Sequence, residues 1–397
     1  MNKKILFITT SNLFSNPRLV KEIHLAKSLF PQIDVISFRL GVNSDKFSDE
    51  MIHQIHFANH QVLSGARDPF FPWLISSVFE KVLRFFPIHF FPTKLISFAF
   101  NKRSFILHRF LSRVAIKYDW VVAHNPGIFY PALAFANRTG SKLGIDVEDY
   151  HPGEYLDNKL ANMALMIMRA VLPSANYCSF AAPLIQFETE KIFLKSTKNW
   201  FTVYNGFPQA EFHESSISHN GKLKIVWFSQ NITAGRGLEK FIKTVNDLQN
   251  TMELHLFGSI TAEDFKLLGL PKEGIVLHEP VFQAELHVLL ASFDVGLVAD
   301  PPLNKNRELA VTNKIIAYAQ AGLYIVSVSA NGHNDFLDHS GLEYSIVNYK
   351  ADEINSALAK VEQKFKRQEF DRIIQKQVSC KFSWENVSKP LIGAWSE

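Results

Sequence analysis

The chain has 397 residues, 47% hydrophobic and 20% charged, with a formal net charge of +4; this length suits two domains and this composition excludes a disordered or fibrous protein. Phe is over-used at 35 residues, and the only two cysteines, Cys178 and Cys380, stand in no metal-ligand or redox spacing, as expected of reduced core thiols in a cytoplasmic protein. The charge is uneven: from residue 70 to 117 eight Lys or Arg face Glu80 alone, a net +7 that leaves −3 for the rest of the chain.

Short apolar, β-branched runs alternate with helical-period segments almost from end to end, the pattern of parallel α/β sheets. Met1 to Lys4 is basic, but the apolar run that follows is too short for a signal peptide and reads as a first strand, Lys4–Thr10. An amphipathic helix over Asn16–Phe30 comes next, with Leu19, Ile23, Ala26 and Phe30 on one face. Its Asn16-Pro17-Arg18 start reads first as an N-cap with Pro at the opening helical position. A second strand is expected at Ile33–Phe38. His53, His56 and His60 lie in an extended-looking stretch without the carboxylate or cysteine partners of a metal site.

In the basic segment Phe70, Phe71, Trp73, Phe79, Phe85, Phe86 and six further Phe up to Phe110 are interleaved with the cations, and Pro87 and Pro92 break the stretch in two. That is the pattern of an interfacial helix pair against anionic headgroups; the alternative is a set of outer helices with solvated cations. No nucleic-acid motif accompanies the charges.

Strands are expected at Trp120–His124, Lys142–Val147, Tyr177–Ala181 and Phe201–Tyr204. Trp120–Asn137 and Ala170–Phe187 are uncharged for nearly a membrane span, but each holds two prolines. Glu148 and Asp149, after the Lys142–Val147 strand, crowd two carboxylates at a strand's end, which raises one pKa and suits acid/base work; an acidic turn before the Pro152 helix is the plainer reading. Beyond a polar linker at Glu211–Lys222, strands are expected at Lys224–Ser229, Glu253–Phe257, Ile275–His278, Val295–Ala299 and Tyr324–Val328. A turn over Gln230–Gly235 leads to Arg236-Gly237-Leu238-Glu239 at a helix start, where a cation and free N–H groups suit a phosphate. Thr312-Asn313-Lys314 opens another helix; a Lys there opposes the helix dipole and is explained by a nearby anion.

Ser229-Gln230-Asn231, Gly235-Arg236-Gly237-Leu238-Glu239, the strand Leu254–Gly258, the run Val281–Asp294, and Thr312-Asn313-Lys314 with Tyr318 and Ala321-Gly322 resemble, in order and spacing, the donor domain of family 4 glycosyltransferases. The match is close over residues 224–337 and looser elsewhere. The resemblance implies an α/β GT-B fold of two Rossmann-like domains facing across a cleft. The acceptor-side domain would span residues 1–208 and the nucleotide-sugar-binding domain 209–381, with a helix over 382–397 packed back on the first.

It further implies that Arg236, with Gly237 and Asn231, holds the donor diphosphate, and that Glu308, Thr312, Asn313 and Lys314 lie beside the diphosphate and sugar. Asp149 and Glu148 would be catalytic, and Asn16, Arg18, His124 and His151 would line the acceptor side. The donor would be a UDP- or GDP-linked sugar, with no separate cofactor, no metal and retention of configuration. The acceptor would be an envelope glycan or a lipid-linked sugar, with residues 70–117 in peripheral contact with the inner face of an anionic membrane. The chain departs from the family pattern at Ala317, where a second glutamate is usual, at Glu308, one residue out of register with the first, and at Ser229-Gln230, where many members have Gly-Arg. Two other readings are a nucleotide-sugar 2-epimerase-like enzyme on the same fold, and a non-catalytic binding or scaffold homologue, which Ala317 supports.

Overall fold

The computed structural model describes residues 3–42, 44–55, 59–67, 70–83, 85–193, 199–213, 221–271 and 273–397. The chain forms two compact units, Met1–Val203 with Lys389–Glu397, and Tyr204–Ser388. The division falls ahead of Pro208, and the tail rejoins the first unit at Lys389 rather than at Phe382. Aromatic packing accounts for both shifts. Tyr204 lies edge-on to Phe336 and Phe382 at 5.2 and 5.8 Å, and Phe207 meets His287 at 4.4 Å, so both segments belong to the second unit's interior. Part of the expected linker, residues 214–220, lies outside the described residues.

The first unit is a seven-stranded sheet: β1 (Lys4–Thr9), β2 (Gln32–Arg39), β3 (Asn59–Ser64), β4 (Trp120–His124), β5 (Lys142–Val147), β6 (Tyr177–Phe180) and β7 (Trp200–Thr202), in the order β3-β2-β1-β4-β5-β6-β7. Every neighbouring pair is parallel. Its central strands are buried on both faces, which is why they read as unbroken apolar runs. Edge strand β3 was not expected, because its residues are half-buried or exposed and make no such run. The segment before it is a helix, Ser44–Gln54, not an extended stretch. His60 sits on β3 and bonds the Ser37 hydroxyl at 2.9 Å; His56 and the side chain of His53 lie outside the described residues.

The tail helix Lys389–Ser396 closes this unit. Trp395 is buried, its indole Nε1 donates to the Tyr177 hydroxyl at 3.0 Å, and its ring meets Phe7 and Phe30 edge-on at 6.0 and 6.2 Å.

The aromatics of the basic segment separate into two sets. Phe79, Phe98 and Phe105 pack on one another at 5.3–5.8 Å between the helices Phe70–Leu83, Thr93–Phe100 and Lys102–Leu111. Phe70, Phe71, Leu74, Ile75, Val78 and Val82 instead form an exposed face of the first of these helices, continued by Phe85, Phe86 and Phe90. Phe71, Phe85 and Phe90 are 72, 86 and 78% exposed. Arg84 lies outside the described residues, and among those described no helix is long and apolar enough to cross a membrane.

The second unit is a six-stranded parallel sheet: β8 (Leu223–Ile232), β9 (Met252–Ile260), β10 (Ile275–His278), β11 (Val295–Val298), β12 (Tyr324–Val328) and β13 (Tyr344–Val347), in the order β10-β9-β8-β11-β12-β13. β13 is a second unexpected, half-buried edge strand. β8 runs past Ser229, through a register shift between Phe228 and Asn231, so Asn231 is a strand residue paired with Ser259 rather than part of a turn. In each sheet the chain reverses its direction of growth once, between β1 and β4 and between β8 and β11. Ligands of open α/β sheets bind outside the strands' carboxyl ends at such points.

Candidate functional site

In the second unit Arg236 follows β8 and Asp300 follows β11, on either side of the reversal. Arg236 directs Nε and Nη2 to Asp300 Oδ1 at 2.9 and 2.7 Å. Lys314, in the first turn of the helix Asn313–Gln320, donates to Asp300 Oδ2 at 2.8 Å. Both cations lie over the buried Trp227 ring, 5.3 and 5.1 Å from its centroid, a favourable cation–π placement. The remaining guanidinium nitrogen, Nη1, donates to Ser229 Oγ and to the Asn231 carbonyl at 3.4 Å.

Gly237 makes this arrangement possible. It is left-handed at φ 82°, and a Cβ there would lie 2.1 Å from the Ala299 carbonyl oxygen, so only glycine lets the Arg236 loop close on the β11 end. Burial tends to raise the Asp300 pKa, but Lys314 and Arg236 hold it below the usual range. Burial lowers the Lys314 pKa and Arg236 repels it, against the pull of Asp300. The anion that the sequence argument required beside Lys314 is therefore a carboxylate of the protein itself.

In the first unit, strand register sets Thr9, His124, Asp146 and Ser179 in one row across the carboxyl ends of β1, β4, β5 and β6. Arg18 and Glu22 reach that row from the helix Pro17–Ala26. Arg18 donates to both Asp146 oxygens, at 2.9 and 2.8 Å, and to the Val203 carbonyl at 2.7 Å. His124 stands between Glu22 and Asp146, 3.2 Å from each, and Ser179 donates to Asp146 at 2.6 Å. Glu22, His124 and Asp146 offer metal-compatible atoms within 4.8 Å of one another, but Arg18 already neutralises Asp146, and the set reads as two cations matched to two anions. Burial opposes protonation of His124, yet Glu22 and Asp146 raise its pKa to about 10.

Glu148, two residues beyond Asp146, has its pKa pushed up to about 7 by burial and then by the Asp149 carboxylate, while Arg18 and His124 act the other way. His151 is buried, with Nδ1 2.6 Å from Glu154 and Nε2 without a hydrogen-bond partner.

No family model matches the chain, and no curated protein matches it in sequence. Solved structures do. Anabaena HepE in complex with UDP superposes with a TM-score of 0.69 over 99% of both chains at 13% identity. A glycosyltransferase from Rickettsia africae gives 0.67 at 10% identity, over 100% of this chain and 98% of its own. Sucrose-phosphate synthase from Thermosynechococcus elongatus gives 0.67 at 9% identity, over 99% and 98%.

The fold is GT-B.

Within this GT-B chain the expected donor residues separate. Arg236, Gly237 and Lys314 converge with the Asn231 carbonyl, as described. Asn313 is exposed and Thr312 half-buried at the same helix start. Glu308 is turned elsewhere, accepting from Asn331 at 2.7 Å and pairing with Lys305 at 3.4 Å. Ala317 is fully buried. On the other unit Asn16 is buried and caps its helix by accepting from Leu19 N at 3.1 Å. Arg18 and His124 are buried in the ion network. His124 is a core histidine set between two carboxylates.

Sequence reasoning missed Asp300, Trp227, Glu22 and Asp146. The available signal for Asp300 was its place directly after the β11 run; the others are hidden in apolar or helical segments.

Proposed function

We propose that this protein is a glycosyltransferase that moves a sugar from a UDP- or GDP-linked donor onto a glycan or lipid-linked acceptor. The observation that carries the reading is the convergence of Arg236 and Lys314 on one carboxylate at the β8/β11 reversal: a partly enclosed place built to hold an anion between two cations. HepE, of the same fold, is described with UDP, with UDP and glucose, and with UDP-glucose. Two fixed cations can offset charge developing on a departing diphosphate, the work a metal does elsewhere.

For the acceptor hydroxyl we assign acid/base work to Glu148 with Asp149, since a carboxyl with a pKa near 7 exchanges protons readily at neutral pH. The exposed aromatic face around Phe71, Phe85 and Phe90 supports peripheral attachment to an anionic membrane at its cytoplasmic face, where a lipid-linked or envelope acceptor is found.

The test is thermal stabilisation by UDP, GDP and ADP, followed by transfer from the stabilising nucleotide's sugar. A ligand that binds only the folded state raises the melting temperature, and Arg236→Ala is expected to abolish the shift. Ala317, buried where the family 4 pattern has a glutamate, favours a second reading, a non-catalytic homologue; no shift with any of the three nucleotides would favour that reading instead.

A further inference from the structure

We propose that Asp300 is a built-in competitor for the donor diphosphate: in the free protein its carboxylate occupies the anion position between Arg236 and Lys314, and a nucleotide's phosphate must exchange with it. The inference rests on the donor reading above. Its basis is that both cations already converge on one carboxylate. Arg236 spends Nε and Nη2 on Asp300 and Nη1 on Ser229 and Asn231. Lys314, buried against Trp227, aims its ammonium at the other Asp300 oxygen. One oxygen for each cation is also how two phosphoryl oxygens would engage them.

Without an anion the two positive groups would face each other over one indole ring, so an empty site of this design is unfavourable and the carboxylate offsets the repulsion. Asp300 is held by a short side chain just outside the end of β11, ahead of Pro301 and Pro302. Rotation about its Cα–Cβ bond withdraws the carboxylate while the backbone stays in place. Binding of a diphosphate therefore costs two ion pairs before it gains two, and the same carboxylate re-enters as the nucleoside diphosphate leaves. Donor and product are both held weakly as a result. A nucleoside without phosphates does not meet this competition.

The experiment is calorimetric titration of the full chain, wild type, Asp300→Asn and Asp300→Glu, with UDP, inorganic pyrophosphate and uridine, after circular dichroism has confirmed that each variant is folded. Asp300→Asn keeps the shape and removes the charge, so UDP and pyrophosphate are expected to bind about tenfold tighter or more, with uridine unchanged. Asp300→Glu keeps a competing carboxylate and should stay near wild type. UDP binding that is unchanged or weaker in Asp300→Asn, with the wild type binding normally, overturns the competitor role and leaves the donor reading intact. Failure of every variant to bind pyrophosphate, together with no thermal shift from UDP, GDP or ADP, removes the donor reading, and this inference with it.

Discussion

Arg18 holds Asp146, 128 positions away in sequence, by two hydrogen bonds, Nε to Oδ2 at 2.9 Å and Nη2 to Oδ1 at 2.8 Å. Both side chains are buried, so the pair ties the first helix to β5 through the sheet's carboxyl edge. Charge removed from water in this way is stabilising only while its partners remain.

Arg18→Met should accordingly cost about 3–5 kcal/mol of folding free energy, because Asp146 and Glu22 would be left buried with His124 as their one remaining cation. Urea denaturation of the two proteins measures this. Arg18→Met combined with Asp146→Leu should recover part of the loss.

The same network makes stability fall as pH rises. His124 titrates at about 10 in the fold, above its ordinary 6.5, so its contribution is full below 6.5 and is lost as pH climbs through 10. Glu148 is raised to about 7 from 4.5; its contribution likewise is full below 4.5 and lost as pH passes 7. Melting temperatures should therefore decline between about pH 4.5 and 10. In His124→Gln the decline between 6.5 and 10 should flatten.

Turnover should show Glu148 independently of stability. As a base it works deprotonated, so the rate should rise through about pH 7 and level off above it. Glu148→Gln should remove that inflection and lower kcat by roughly 10²–10⁴, with UDP binding by calorimetry unchanged.

Gly237→Ala tests the backbone that presents Arg236. A Cβ 2.1 Å from the Ala299 carbonyl oxygen, on a residue at φ 82°, forces the loop off β11. A lower melting temperature and UDP binding weakened by about tenfold or more are expected.

The exposed aromatic face, on a segment of net charge +7, predicts binding to anionic vesicles that salt weakens. Phe71→Ser, Phe85→Ser and Phe90→Ser together should sharply reduce co-sedimentation with anionic liposomes. Folding stability should shift by no more than about 0.5 kcal/mol per position, since these rings are mostly in water. Equal binding of the wild type to neutral vesicles would count against an electrostatic membrane contact.

The sequence by itself determined the two parallel α/β units, because interior strands covered on both faces must be continuous apolar runs, and β1, β4, β5, β11 and β12 lie where such runs lie. It also singled out Arg236 and Lys314, through a cation at one helix start and a cation that opposes the dipole of another. Tertiary structure decided the rest. Edge strands β3 and β13, covered on fewer sides, leave no apolar signature. Which aromatics of residues 70–110 pack and which face solvent depends on helix rotation against neighbours. Asp300, Glu22 and Asp146 acquire their meaning only when strand register and loop closure bring distant charges within 4 Å, because an ion pair is a fact of distance in space and composition along a chain does not encode that distance.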